Sequence, residues 1–136
     1  MPQQADVVSA FQIPPLHEKI AVTMPKGFLH GGMSVGICEK NVRGLKQASK
    51  AWGSMAHNWI VQYDDRVVPC IKAGRCMYAI WTEDLKFLCV RWVDSFYAVS
   101  SDGNRFLNTF LKAMGKEFPL KLLGDMKQVL GTEVIW

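Results

Sequence analysis

The sequence predicts an α+β domain: a mostly antiparallel sheet with helices on one face. Three observations carry that expectation. Residues 47–62 and the segment from 106 to 118 each hold a single apolar stripe at helical spacing. Residues 76–81 (CMYAIW) and 87–93 (FLCVRWV) are rich in β-branched and aromatic types and are separated only by TEDLK. Short strand-like apolar segments lie near both ends of the chain. The expected order is strand, strand, helix, hairpin, helix, strand.

Each element has a local cause. Residues 1–11 form a short apolar stretch ending at Phe11. Pro14-Pro15 then removes two backbone donors and forces an extended or turn path. Residues 17–24 (HEKIAVTM) can make a short strand around Ile20-Ala21-Val22. Residues 25–36 (PKGFLHGGMSVG) read as a loop, rich in glycine. In the first helix Ala48, Ala51, Trp52, Met55, Ala56 and Trp59 share one face, weakened by Gly53 at ~1 kcal/mol relative to Ala. Asp94 closes the second strand of the hairpin. The second helix takes Ser101 or Asp102 as its cap and carries Phe106, Leu107, Phe110, Leu111, Met114 and Phe118, with Pro119 just beyond it. The tail, MKQVLGTEVIW, reads as one last strand in which Gly131 allows a bulge or a close backbone approach.

Composition narrows the function classes. With 136 residues, 49% hydrophobic and 21% charged, the chain is one globular domain rather than a disordered one. No apolar run approaches the ~20 residues that span a bilayer. MPQQADVVSA has neither the basic nor the apolar region of a secretory signal. The net charge of +4 permits a polyanionic partner without demanding one. Cys38, Cys70, Cys76 and Cys89 form no C-x-x-C pair, and His17, His30 and His57 do not flank them at zinc spacing. The cysteines are expected to be reduced and mostly buried, in an intracellular protein.

Asp6 and Asp94 stand out as candidate chemistry. Each sits against an apolar strand segment, Ala5-Asp6-Val7-Val8 and Val90-Arg91-Trp92-Val93-Asp94. A carboxylate there is costly to desolvate unless it is paired or binds a cation. Two such carboxylates brought side by side repel, and divalent ions ~3.5–4 Å apart relieve that repulsion in two-metal sites. On the residues alone, two aspartates ending strands at turns is the simpler account.

The motifs add a resemblance. GLKQASKAW (44–52) resembles the signature of copia-type (Ty-copia) retrotransposon reverse transcriptases. DVVSAF (6–11), followed by MPKGF (24–28), is similar to that family's first palm motif. WVDSFY (92–97) stands in the place of its Val-Asp-Asp catalytic loop, and KEFPLKLLGDMKQVLGTEV (116–134) resembles its last palm segment. The four motifs keep family order and run over essentially the whole chain.

The resemblance implies the palm of an RNA-directed DNA polymerase over residues 1–136, without the fingers, thumb and RNase H regions. The strand-like segments at the two ends fit a piece of a longer polymerase. It implies Mg²⁺, with Mn²⁺ as a substitute, held by Asp6, the backbone carbonyl of Val7 and Asp94. Phe11 would lie beneath the incoming sugar and exclude a 2′-hydroxyl. Gly44, Lys46, Gln47 and Lys121 would contact the nucleotide, and Leu130-Gly131 the primer end. Partners would be an RNA or DNA template with its primer, dNTP and the remaining polymerase regions, with no membrane. The family works in a cytoplasmic virus-like particle.

Departures from the pattern weaken catalysis. Ser95 stands where the family has the second Asp of its catalytic pair, and a hydroxyl is a weak, neutral metal ligand. Losing one transition-state electrostatic partner costs ~10²–10³ in rate. Ser49 replaces a proline, Trp92 a tyrosine, and Arg91 puts a charge into an otherwise apolar strand. The implied function is thus a degenerate reverse transcriptase domain of a retrotransposon Pol polyprotein; the alternative is a non-catalytic palm remnant that binds nucleic acid or protein.

Overall fold

The structure is a computed structural model that describes residues 1–28, 34–129 and 131–135. Six strands make the main sheet: β1 (Gln3–Val7), β4 (Val68–Pro69), β5 (Met77–Trp81), β6 (Lys86–Trp92), β7 (Ser95–Ser100) and β8 (Leu120–Asp125). Their order is β4-β5-β6-β7-β1-β8, and every neighbouring pair is antiparallel. Two small hairpins stand apart, β2 (Ala21–Thr23) with β3 (Val35–Ile37) and β9 (Gln128–Val129) with β10 (Thr132–Glu133). The helices are α1 (Lys46–Tyr63) and α2 (Arg105–Glu117), and Ala10–Gln12 make a 3₁₀ turn after β1.

Strand register sorts the two sheet faces. Ala5 pairs with Phe96 and Phe96 with Arg91; Tyr78 pairs with Cys89 and Cys89 with Ala98; Ile80 pairs with Phe87. Laterally paired residues share a face, so these side chains line one side of the sheet. Trp52, Ala56 and Ile60 of α1 and Leu107, Phe110, Leu111 and Met114 of α2 join the same core. Both helices therefore cover one face, as the two apolar stripes demand. The centre is aromatic: Trp59, Tyr63, Phe87, Phe106 and Phe110 lie in mutual edge or tilted contact at ring separations of 5.0–6.0 Å. The opposite face stays open and carries Leu88, Trp92 and Trp81, the last 77% exposed with the Lys86 ammonium 5.0 Å from its ring centre.

The structure corrects several expectations. β7 lies in the segment SFYAVS, whose first residues overlap the loop motif WVDSFY; burial alternates along it as a half-covered strand requires. β3 falls within the glycine-rich loop, and part of that loop, residues 29–33, lies outside the described residues. β8 was also unforeseen. Between β1 and β8 the register slips at Gln4/Ala5, where Gly124 has φ +79°, a bulge that a side chain would strain. The tail is not one strand but the β9–β10 hairpin, with Gly131 at φ +81° in its turn. Of the cysteines only Cys89 is buried, and the other three are half-buried; all four are free. Burial pushes the Cys89 thiol up to about 12.

Asp102 caps α2 from two residues before Asn104, the residue that flanks the helix. Asn104 is left-handed at φ 66° and makes no side-chain cap. The Phe106 amide instead donates to Asp102 Oδ2 at 2.8 Å, and the Ser100 hydroxyl donates to Asp102 Oδ1 at 2.6 Å. The Ser100 bond, with the Phe106 amide, holds the Asp102 carboxyl below its usual range. Asp64 is held low by the Arg66 guanidinium, which donates at 2.9 and 2.7 Å. A carboxyl with a depressed native pKa adds stability above its ordinary value and loses it as pH falls through the depressed one. Both groups are near the surface, so solvent keeps the effect small. The melting temperature is expected to fall below about pH 4, and more shallowly in Asp102→Asn than in the parent chain.

Candidate active site

The site lies where β1 meets the tight turn between β6 and β7. Asp6 pairs laterally with Ser95 on one side and with Lys121 on the other, and Ser95 pairs with Trp92. Lys121, Asp6, Ser95 and Trp92 thus form one row across four strands on the open face. The Ser95 hydroxyl donates to Asp6 Oδ1 at 2.9 Å. Asp94 sits in the turn, and the Val7 amide donates to its main-chain carbonyl at 2.9 Å. That bond brings the Asp94 backbone against the strand that carries Asp6. Arg43 approaches Asp94 with Nη2 3.9 Å from Oδ2, though its own side chain is 82% exposed, so this is a weak pair.

The turn itself is strained. Only Val93 and Asp94 separate β6 from β7, and Val93 has φ 59°. A β-branched residue in the left-handed region is a genuine outlier, and such strain of ~1–3 kcal/mol persists only where surroundings over-determine it. Here the surroundings are specific. The Trp52 indole Nε1 donates to the Val93 carbonyl at 2.7 Å, and Arg91 Nη1 donates to the same oxygen at 3.2 Å. A two-residue hairpin with a positive φ at its first position favours glycine. Val93 is 42% exposed, so little burial is at stake. Val93→Gly is therefore expected to stabilise the chain by about 1 kcal/mol, read as a higher midpoint in urea unfolding; a lower midpoint would mean that the turn is not strained.

The remaining predicted residues are distributed unevenly. Phe11 lies in the 3₁₀ turn, half-buried, with the Arg43 guanidinium 5.8 Å from its ring centre. A cavity of about 240 Å³ lined by Ser9, Ala10, Phe11, Gln12 and Arg43 opens beside it. Gly44, at φ +103°, makes the bend into α1, where Lys46 and Gln47 are the first two helical residues. Lys46 is exposed. Gln47 lines a different cavity, of about 600 Å³, together with Pro14, Pro15 and His17. Lys121 is exposed beside Asp6 on β8. Gly131 lies in the β9–β10 turn, and Leu130 lies outside the described residues.

Three contributors escaped sequence reasoning. Trp52 looked like one more residue of the α1 stripe, and nothing in the local pattern marks its indole N–H. Arg43 lies in an unpatterned loop. Asn41 is buried and donates to the Pro14 and Pro15 carbonyls at 3.0 and 3.2 Å, fixing the diproline segment.

The site thus sets one strand carboxylate, Asp6, beside the backbone of a strained hairpin turn that carries a second, Asp94. The sequence pattern of the reverse transcriptase (RNA-dependent DNA polymerase) family matches residues 1–136, and the chain belongs to that family. It is similar to the retrovirus-related Pol polyprotein from transposon TNT 1-94 of Nicotiana tabacum, at 29% identity over 142 aligned positions. That match takes in 98% of this chain but 10% of the polyprotein, so the chain spans about a tenth of the length of its curated relative. The copia-type character read from the motifs stands. No solved structure matches the chain. Among the described residues no helix is long and apolar enough to cross a membrane, and no group of three or more His, Cys, Asp or Glu is placed to hold a metal ion.

Proposed function

We propose that residues 1–136 are the palm of a copia-type RNA-directed DNA polymerase whose catalytic site is degenerate. The observation that carries this reading is the junction of β1 with the β6–β7 turn, where the Val7 amide binds the Asp94 carbonyl and Asp6 pairs with Ser95. Asp6, the Val7 carbonyl and Asp94 are oxygen donors only, the set that a hard cation such as Mg²⁺ takes. They fit one such ion, with Mn²⁺ as a substitute. Bound there, it would ease deprotonation of a primer 3′-hydroxyl and offset the negative charge on the phosphate that the hydroxyl attacks. The rest of the chemistry belongs to the chain. Asp6 and Asp94 supply the negative charge, Phe11 limits the space under a sugar, and Lys121 adds a cation next to Asp6.

Ser95 is where the site falls short. Its hydroxyl contributes no charge and instead occupies Asp6 Oδ1. That bond favours the second reading, a palm remnant that binds nucleic acid or protein without turnover. Under the first reading the partners are an RNA or DNA template with its primer, dNTP for an active form, and the fingers, thumb and RNase H regions supplied by the rest of a Pol polyprotein. The proposed setting is the cytoplasm.

Mn²⁺ binding separates an intact carboxylate pair from a decorative one. Titration of Mn²⁺ followed by electron paramagnetic resonance should show a site that Asp94→Asn weakens at least tenfold, roughly the loss of one charged ligand. Equal affinity in the parent and in Asp94→Asn would remove the metal site from the reading. Primer extension with Mg²⁺ should give no processive product; clear extension would overturn the assignment of degeneracy.

A further inference from the structure

The helix-covered side of the sheet holds a second cationic feature, on the face opposite Asp6; its anchor, Arg91, also holds the turn that carries Asp94. A cavity of about 670 Å³ lies between α1 and the edge formed by β4, β5 and β6. Lys50, His57, Arg75 and Arg91 line it, with Ser54 and Asn58 as neutral polar neighbours, and among the described residues no acidic one does so. Lys50 and Arg75 are exposed, so their ammonium and guanidinium are free to turn inward. His57 Nδ1 is engaged with the Tyr78 hydroxyl at 3.2 Å.

Arg91 is the anchor. It lies on the helix-facing side of the sheet, since it pairs with Phe96. It lies beside Gly53 of α1, where a Cβ would stand in ordinary contact, 3.5 Å from Arg91 Nη2. Arg91 Nη1 donates to the Val93 carbonyl, and Nη2 reaches Cys76 Sγ at 3.2 Å. Nε is buried and has no hydrogen-bond partner among the described residues. A guanidinium has five N–H donors. Here one goes to a carbonyl and one to a weak sulfur acceptor, the Tyr78 hydroxyl interacts with the group as well, and Nε is left without a partner among the described residues. Buried polar groups left unmatched are rare and call for an acceptor. Several positive groups lining one recess also focus the field on an anion.

We propose that this cavity is a binding site for a phosphate-bearing anion, anchored by Arg91 and closed by Arg75 and Lys50. Arginine suits the class because its planar fork takes two phosphate oxygens at once. The volume exceeds what one phosphate fills, so a diphosphate, a nucleotide or a stretch of nucleic-acid backbone fits the recess.

The test is calorimetric titration of the 136-residue chain with pyrophosphate, and separately with a short oligothymidylate, in low salt without divalent metal. Saturable binding of either probe is expected to weaken about tenfold or more in Arg91→Gln and in Arg75→Gln, and to stay unchanged in Lys26→Gln, a basic residue elsewhere. Arg75 is exposed, so Arg75→Gln remains informative if Arg91→Gln fails to fold. Pyrophosphate binding identifies a free phosphate ligand; binding of the oligonucleotide alone, with the same variant sensitivity, identifies backbone phosphates. No binding of either probe, no effect of Arg75→Gln, or an equal loss in Lys26→Gln overturns the proposal. Repeating the titration in Asp94→Asn keeps the two readings apart: that variant loses Mn²⁺ affinity under the polymerase reading and retains anion binding under this one.

Discussion

Ser95→Asp should lower the melting temperature in metal-free buffer by about 5–10 °C and raise Mn²⁺ affinity at least tenfold. Two effects add in the destabilisation. The 2.9 Å hydrogen bond from Ser95 to Asp6 disappears, at ~1 kcal/mol. In its place a carboxylate stands laterally opposite the carboxylate of Asp6, because the register pairs the two positions. Like charges so placed repel by about 1–4 kcal/mol near a surface. A divalent cation reverses the sign, since it is attracted by the charges that repel one another. The signature is therefore a melting temperature that Mg²⁺ restores in Ser95→Asp and changes much less in the parent chain. An unchanged metal-free melting temperature together with unchanged Mn²⁺ affinity would mean that Ser95 and Asp6 do not share a site in solution.

Trp52 gives the other large effect. It is 1% exposed, meets Phe118 edge-on at 5.3 Å, and holds the Val93 carbonyl at 2.7 Å. Trp52→Ala is expected to cost ~3–5 kcal/mol from the lost burial and the cavity left behind. That is a large share of the ~5–15 kcal/mol available to a domain. Trp52→Phe isolates the hydrogen bond. It keeps an aromatic ring in the core and leaves the Val93 carbonyl with the 3.2 Å bond from Arg91 alone. It should cost ~1–3 kcal/mol and speed amide hydrogen exchange at Asp94 and Ser95 more than at Phe110, in the α2 core. Uniform acceleration would make Trp52 a packing residue with no special hold on the turn. Urea unfolding and hydrogen exchange read the two quantities separately.

Both helices were legible because their signal is local. The α1 stripe from Ala48 to Trp59 and the α2 stripe from Phe106 to Phe118 need nothing beyond a period of 3.6 residues. The β5–β6 hairpin was legible for the same kind of reason, its two runs of β-branched and aromatic residues lying close together in sequence. β8 was not, because Lys121, Leu122, Leu123 and Gly124 alternate poorly and the strand exists by pairing with β1, more than a hundred positions away. β7 was passed over because its first residues carry a motif that reads as a loop. The Asp102 cap was recognised as a residue but not as a geometry, since Asn104 intervenes in a left-handed conformation.

The site divides along the same line. Asp6, Asp94, Ser95 and Phe11 are marked as candidates in the sequence because the motifs of a reverse transcriptase keep their order along the chain, and with them comes the proposal of a lost charge at Ser95. Composition and periodicity added an α+β class and two amphipathic helices. Everything that depends on residues distant in sequence was decided by the tertiary structure: the row of Lys121, Asp6, Ser95 and Trp92 across four strands, the indole of Trp52 on the Val93 carbonyl, and the shared hold of Arg91 on that same oxygen. Periodicity reports how a segment meets its surroundings, whereas a hydrogen bond from residue 52 to residue 93 exists only once the sheet register has brought the two together.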